Sequence, residues 1–218
     1  PVVALVGYTN AGKSTLFNRL TRAGVLTDAK MFATLDPTVR SLILPSRRRV
    51  LIGDTVGFIR NLPTTLVKAF RATLEEVAEA TLILHLVDIA SPQAVAQTAH
   101  VFEVLAEIGA ADTPQVMALN KIDKADANPD HVKGQLAEHS VTIEEYGGDT
   151  PIVPVSAKTK QGLQDLIDVV LLVADVSDLK ANPDRPAVGR VIEAHMDKSR
   201  GPIATVLVGD RGEGLGEH

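Results

Sequence analysis

A glycine, four intervening residues and then Gly-Lys-Ser run from Gly7 to Ser14, as Gly7-Tyr8-Thr9-Asn10-Ala11-Gly12-Lys13-Ser14. That spacing belongs to a loop whose backbone N–H groups cradle a polyphosphate. In such a loop Asn10, Ala11 and Gly12 line the phosphates, and Lys13 reaches the terminal ones. The Ser14 hydroxyl supplies an oxygen ligand for magnesium (Mg2+), with Thr15 beside it. A second constellation is Gly53-Asp54-Thr55-Val56-Gly57. There a carboxylate at the end of an apolar run, three positions before a glycine, suits the outer shell of the same metal. Asp54 holds one of its waters, and the Gly57 N–H faces the terminal phosphate.

A third constellation reads a base. Asn120-Lys121-Ile122-Asp123 ends an apolar run, and Ser156-Ala157-Lys158 ends another. A carboxylate at Asp123 accepts both the ring N–H and the exocyclic amine of guanine. Adenine lacks that donor pair, so the carboxylate would be left unpaired. Asn120 and the stem of Lys121 brace the loop and cover the base. A backbone N–H within Ser156-Ala157-Lys158 bonds the guanine carbonyl, with Lys158 alongside. Behind a phosphate loop, this pattern selects GTP over ATP.

These groups need elements to hold them, and the apolar pattern supplies them. Val2–Val6 reads as a buried strand, and Leu16, Phe17 and Leu20 follow at helical spacing. A strand, a loop and a helix are the context in which the glycine spacing acquires meaning. Val39–Leu44 and Val50–Ile52 read as two strands joined across Arg47-Arg48-Arg49, a solvated turn. Pro63 opens a helix with an apolar stripe of Leu66, Ala69, Phe70, Leu74 and Val77. Thr81–Asp88 is a continuous apolar run, as a central parallel strand requires, and His85 within it reads as a packed, satisfied histidine. Ser91-Pro92 caps the next helix and Gly109 closes it. Val116–Leu119 is a strand, and Asn128-Pro129 starts a helix with Val132 and Leu136 inward. Ile152–Val155 is the last strand, and Leu163, Leu166, Ile167, Val170 and Leu171 continue as an amphipathic helix. Strands alternating with helices predict an α/β fold, a mostly parallel sheet with helices on both faces.

The remainder differs in character. Residues 1–175 form the nucleotide-binding domain in this reading, and 176–218 a polar linker followed by a C-terminal β-hairpin of Val188–Met196 and Ile203–Val208. Two strands alone are marginal in water, so the hairpin reads as the truncated start of a larger β-domain. The first residue is Pro1 and a strand begins at once, so the chain is expected to be part of something longer.

Composition excludes several classes. The 218 residues contain no cysteine, which rules out disulfides, thiol nucleophiles and thiolate metal sites and fits a reducing cytoplasm. A net charge of -5 argues against bulk nucleic-acid binding, so no sequence-specific DNA contact is expected. The apolar runs are too short to span a bilayer, and no membrane partner is expected. A monomer is expected.

Two resemblances extend the reading. From about residue 1 to 123 the chain resembles the G domain of the HflX family. The residues that carry this are the phosphate loop through Asn18, Phe32-Ala33-Thr34-Leu35-Asp36-Pro37-Thr38, Asp54-Thr55-Val56-Gly57-Phe58-Ile59 and Phe70-Arg71-Ala72-Thr73-Leu74-Glu75-Glu76. From about residue 120 to 208 it resembles bacterial translation initiation factor two. That likeness rests on Asn120–Lys124, Tyr146-Gly147-Gly148-Asp149-Thr150, Val155–Thr159, Leu179–Pro183 and Gly201–Val208. The chain reads as a chimera whose seam falls in Asn120–Asp123, which both families share; one divergent family with features of both is the alternative.

The resemblance implies the P-loop GTPase fold of translation-factor-related enzymes, a cytoplasmic location and the large ribosomal subunit as partner. The resemblance implies an N-terminal domain and helical linker before Pro1, and a remaining barrel and initiator-tRNA-binding end after the hairpin; these residues alone are expected to bind the ribosome weakly or not at all. It also implies a switch threonine that closes the metal shell, Thr34 first and Thr38 as the alternative. Phe58 stands where Ras-like enzymes carry a water-orienting glutamine, so slow intrinsic hydrolysis is expected, with catalysis resting on Lys13, Thr34 and the Gly57 N–H. Negligible hydrolysis, in a nucleotide-dependent ribosome-binding switch, is the rival reading. Asn10 matches the asparagine that helps potassium-activated relatives bind K+; a loop-stabilising asparagine is the alternative.

Overall fold

The computed structural model describes residues 2–21, 38–43, 49–55, 57–58, 74–138, 141, 143–176, 187–197 and 201–210. The expected helix opened by Pro63 lies outside them apart from helical residues 74–78, and Thr34 lies outside them entirely.

A six-stranded sheet carries the fold. Its strands are β1 (Val2–Gly7), β2 (Thr38–Ile43), β3 (Arg49–Asp54), β4 (Leu82–Asp88), β5 (Gln115–Asn120) and β6 (Ile152–Val155). They lie in the order β2-β3-β1-β4-β5-β6. Every pairing is parallel except β2 with β3, where Thr38 opposes Asp54 and Ile43 opposes Arg49. A parallel sheet buried on both faces needs strands that are apolar throughout. β1, β4 and β5 meet that demand, being buried along almost their whole length.

Helices α1 (Lys13–Thr21) and α4 (Leu163–Val176) cover one face. Their Leu16, Phe17, Leu166 and Val170 pack with Leu5, Leu84 and Leu86 of the sheet. On the other face, α2 (Ala94–Glu107) and residues 74–78 meet Val6, Ile83 and Phe58. There α3 (Pro129–Glu138) sets Val132 and Leu136 against Met117 and Leu119. Burying one such Leu or Phe contributes roughly 1.5–3 kcal/mol. Two of these layers therefore hold the carboxyl ends of β1, β3, β4, β5 and β6 in fixed relation, and ligands of open α/β sheets bind at those ends.

Local signals explain most boundaries. The Asn128 side chain accepts the His131 N–H at 3.0 Å and caps α3. Gly109 turns the chain out of α2 at φ 74. The start of α2 differs from expectation. Gln93 occupies the cap position without a side-chain cap bond, and Ser91 instead accepts the Gln93 N–H in the preceding turn. A serine–proline pair supports a tight turn as readily as a cap, and the turn prevails here.

His85 also differs from expectation. It is buried and packs edge-on against Phe102 at 5.4 Å, yet its Nδ1 has no hydrogen-bond partner among the described residues. Burial, aided by the nearby Lys13 charge, pushes its pKa down to about 3, so the ring is neutral.

The chain divides into two compact units, Pro1–Ser177 and Asp178–His218. In the second, β7 (Ala187–Asp197) and β8 (Gly201–Asp210) pair antiparallel, with an irregularity between Val191 and Glu193. No helix among the described residues is long and apolar enough to cross a membrane.

Because the folded pKa of His85 lies below its unfolded value, the unfolded state binds the extra proton as pH falls below about 6.5. Stability is then lost on acidification, by up to about 1.4 kcal/mol per pH unit from this residue. His85→Leu is expected to be at least as stable at pH 7 and to lose less stability between pH 6.5 and 5, read from urea midpoints.

Candidate functional site

The site forms where the loop after β1 meets the ends of its neighbours. Lys13 opens α1 with its side chain only 7% exposed, and its ammonium donates to the Gly7 and Tyr8 carbonyls at 3.1 and 3.0 Å. Burial pushes its pKa down to about 8, against the pull of the Asp54 carboxylate. A buried ammonium bonded to two carbonyls, with one carboxylate charge nearby, is a receptor for further anionic charge. Ser14 and Thr15 follow in the first turn of α1, both half-buried, where the helix N-terminus favours an anion.

Asp54 ends β3 and is fully buried. The Thr55 hydroxyl donates to the Leu5 carbonyl at 2.6 Å and locks that strand end to β1. Gly57 then comes so close to the loop that a Cβ would lie 2.9 Å from Thr9 and 3.0 Å from the Lys13 ammonium. The Phe58 N–H donates to the Gly7 carbonyl at 3.0 Å, and the Thr9 N–H to the Phe58 carbonyl at 2.9 Å. The Phe58 ring is fully buried between Val6, Val77 and Ile83. It is a core residue that clamps this segment to the phosphate loop. A hydroxyl at Ser14 and a buried carboxylate at Asp54, with no thiolate in the chain, form an all-oxygen donor set of the kind that suits magnesium. Thr38 opens β2.

On the base side, the Asn120 amide joins three loops. Its Nδ2 donates to the Ala11 carbonyl at 2.8 Å, and its Oδ1 accepts the Ala157 N–H at 3.0 Å. Gly12 makes room for it, since a Cβ there would sit 2.5 Å from that Nδ2. Lys121, in the left-handed region at φ 74, donates to the Asn10 carbonyl at 3.0 Å and pairs with Asp88 at 2.5 Å. Asn10 itself is left-handed at φ 62 with an exposed side chain. The Ser156 hydroxyl donates to Asp123 at 2.7 Å and accepts the Thr159 N–H at 3.0 Å. That bond holds the exposed Asp123 below the ordinary carboxylate range; the Lys158 and Lys124 charges act with it, and burial acts against it. The Ser156 N–H bonds Gln161. With Ala157 engaged by Asn120, the Lys158 N–H is the backbone donor of Ser156–Lys158 that has no partner among the described residues.

The structure therefore brings Asn10, Ala11, Gly12, Lys13, Ser14, Thr15, Asp54, Gly57, Asn120, Lys121, Asp123, Ser156, Ala157 and Lys158 to one end of one sheet. Two further residues join this end of the sheet that no motif marks. Asp88, an acid at the end of a buried strand, carried the same signal as Asp54. Arg19 carried none: it donates to the carbonyls of Ala157 at 3.2 Å and Lys158 at 3.5 Å, across a separation of 138 and 139 residues.

A phosphate loop, a buried acid at a neighbouring strand end and an Asn-Lys-x-Asp loop on this sheet define a P-loop GTPase domain. The chain belongs to the family described as 50S ribosome-binding GTPase, whose model matches residues 2–121. The model of the elongation factor Tu GTP binding domain matches residues 69–175. A GTPase HflX of Lacrimispora saccharolytica is 48% identical over 170 residues, covering 78% of this chain and 37% of that protein. A translation initiation factor IF-2 of Moorella thermoacetica is 43% identical over 208 residues, covering 95% of this chain and 22% of that protein. The chain thus spans well under half the length of these relatives, and its likeness is mixed. Among solved structures, a GTP-binding protein from the archaeon Sulfolobus solfataricus, in complex with GDP, superposes with a TM-score of 0.63 at 32% identity, over 81% of this chain and 53% of that one.

Asn120→Ala leaves the Ala11 carbonyl and the Ala157 N–H without their shared partner. Orphaning two buried groups costs about 2–6 kcal/mol. That loss is expected in urea unfolding of the ligand-free chain, before any ligand is added.

Proposed function

We propose that residues 1–175 bind GTP with magnesium and hydrolyse it to GDP and phosphate, and that 176–218 are a linker and the start of a β-barrel domain. One observation carries this reading: the Asn120 amide bonds the phosphate loop with one end and the Ser156–Lys158 loop with the other. Lys13 and Asp123 are thereby held as halves of one receptor. In it, Lys13 and the N–H groups of residues 10–15 take the phosphates. Asp123 accepts the guanine ring N–H and amine, already oriented by Ser156. The Lys158 N–H serves the base carbonyl, and Lys121, fixed by Asp88, covers the ring.

Ser14 would ligate the magnesium ion directly, Asp54 through water, and Thr34 (or Thr38) would complete the shell. Bound there, the ion neutralises charge on the phosphate oxygens. Attack by water on the γ-phosphorus breaks its bond to the bridging oxygen, with Lys13 and the Gly57 N–H stabilising the charge that moves onto oxygen. Phe58 contributes no group to that water, because its ring is buried and its main chain is bonded to Gly7 and Thr9. Intrinsic turnover is accordingly slow. A potassium ion beside the exposed Asn10 side chain would supply a further positive charge. The partner proposed is the large ribosomal subunit, which the family description supports, with the chain a monomer in the cytoplasm.

The burial of Phe58 equally favours a second reading, a ribosome-docking nucleotide switch with negligible turnover. Phosphate release with and without ribosomal subunits separates the two.

Tight binding of fluorescent GDP is expected, lost at least 100-fold in Lys13→Ala and in Asp123→Ala (roughly 3 kcal/mol for a charged group removed). Retained binding in either variant overturns the site. Phosphate release is expected to be faster in potassium than in sodium, and the difference to vanish in Asn10→Ala; equal rates remove the cation. Because the free Lys13 pKa lies near 8 and phosphate charge raises it, GDP binding above pH 8 takes up a proton. Affinity therefore falls as pH rises beyond 8, visible calorimetrically as proton uptake in paired buffers.

A further inference from the structure

We propose that Arg19 is a positioning residue for guanine selectivity: from the helix that holds the phosphates, it orients the backbone donor that meets the base carbonyl. This rests on the reading of the site as a guanine-nucleotide receptor. Arg19 Nε donates to the Ala157 carbonyl at 3.2 Å, and Nη2 reaches the Lys158 carbonyl at 3.5 Å, the long limit of such a bond. There are no cis peptide bonds among the described residues, so each peptide's C=O and N–H point in opposite directions.

The carbonyl of Ala157 and the N–H of Lys158 belong to one rigid plane. Holding that carbonyl on the α1 side turns the Lys158 N–H to the other side. The Ala157 N–H is already engaged by Asn120 and the Ser156 N–H by Gln161, so the Lys158 N–H is the group whose direction matters. A cation on the carbonyl also polarises the plane and makes that N–H a stronger donor.

The second contact acts on the next plane in the same way. The Lys158 carbonyl and the Thr159 N–H share it, and that N–H donates to Ser156 Oγ at 3.0 Å. Ser156 Oγ in turn donates to Asp123 at 2.7 Å. This second contact is at the long limit of a hydrogen bond, so the Ala157 carbonyl, and through it the Lys158 N–H that meets the base carbonyl, is where the guanidinium acts most strongly. Arg19 is itself exposed and has no role in core packing, which allows it to be varied without unfolding the sheet.

The test is competition against fluorescent GDP by four unlabelled diphosphates: GDP, inosine diphosphate, ADP and the 2-aminopurine analogue. The inosine compound keeps the base carbonyl and lacks the amine; the 2-aminopurine compound keeps the amine and lacks the carbonyl. Arg19→Ala is expected to weaken GDP and inosine diphosphate by a similar factor, about five- to twelve-fold, the upper part of the range for one ordinary hydrogen bond. ADP and the 2-aminopurine compound, without a carbonyl to lose, are expected to change less than about two-fold, and Arg19→Lys to recover part of the loss. An equal loss for all four, or none for GDP, overturns the proposal. A wild-type chain that binds GDP no better than ADP overturns the guanine reading and the proposal with it; a selective wild type with an unaffected Arg19→Ala overturns the proposal alone. Should Arg19→Ala fail to fold, Arg19→Lys and Arg19→Gln carry the same comparison.

Discussion

The two bonds of the Asn120 amide are the constraint on which the site depends. A primary amide is a donor at one end and an acceptor at the other, separated by a fixed geometry. At the end of β5 it can therefore take a carbonyl from the phosphate loop and an N–H from the loop after β6 at once. No aliphatic side chain does either, and a carboxylate would meet the Ala11 carbonyl with a like partial charge. The bonds are buried, where an unmade partner is costly. Gly12 belongs to the same arrangement: its missing side chain is the space the amide occupies.

Around that brace the two halves of the site are organised on different principles. The phosphate half is a buried charge problem. Lys13 is stripped of water and held by carbonyls and by the Asp54 charge, so its proton is less firmly bound than in solution. Anionic phosphate oxygens would resolve that state. The base half is exposed and works by direction: Ser156 aims Asp123, Asp88 aims Lys121, and Arg19 holds the carbonyls of Ala157 and Lys158. Gly57 and Phe58 join the phosphate half through main-chain bonds and a buried ring, which leaves no side chain from residue 58 at the surface of the site.

The mixed likeness of the chain has a physical counterpart. The 50S ribosome-binding model ends at residue 121 and the elongation-factor model continues to 175, so the two overlap across β4, α2 and β5. The alignments with GTPase HflX and IF-2 likewise overlap over most of the chain. β4 and β5 pair in unbroken register from Ile83 with Gln115 to Asp88 with Asn120, and both strands are buried apart from Asp88, which is partly exposed. Asn120 closes that register and serves loops drawn from either end of the chain.

Among the described residues the order and type of the elements were legible in the amino-acid sequence, because a parallel sheet demands continuous apolar strands and amphipathic helices between them. Boundaries shifted by a residue or so where local signals compete, as at Ser91. The candidate site residues were legible too: glycine spacing, Lys13, Ser14, Asp54, Asn120 and Asp123 stand out by type and by place at or just after strand ends, and the structure gathers them at one end of the sheet. What the sequence left open is everything that depends on the sheet's lateral order. That Gly12 must lack a side chain because of Asn120, that His85 is packed without a partner for Nδ1, and that Phe58 is core were decided only by tertiary structure. So was Arg19, which meets its carbonyls across a separation of 138 residues. Periodicity reports which way a residue faces within its own element. Which residue faces it is set by how the strands are ordered, and no local pattern encodes that.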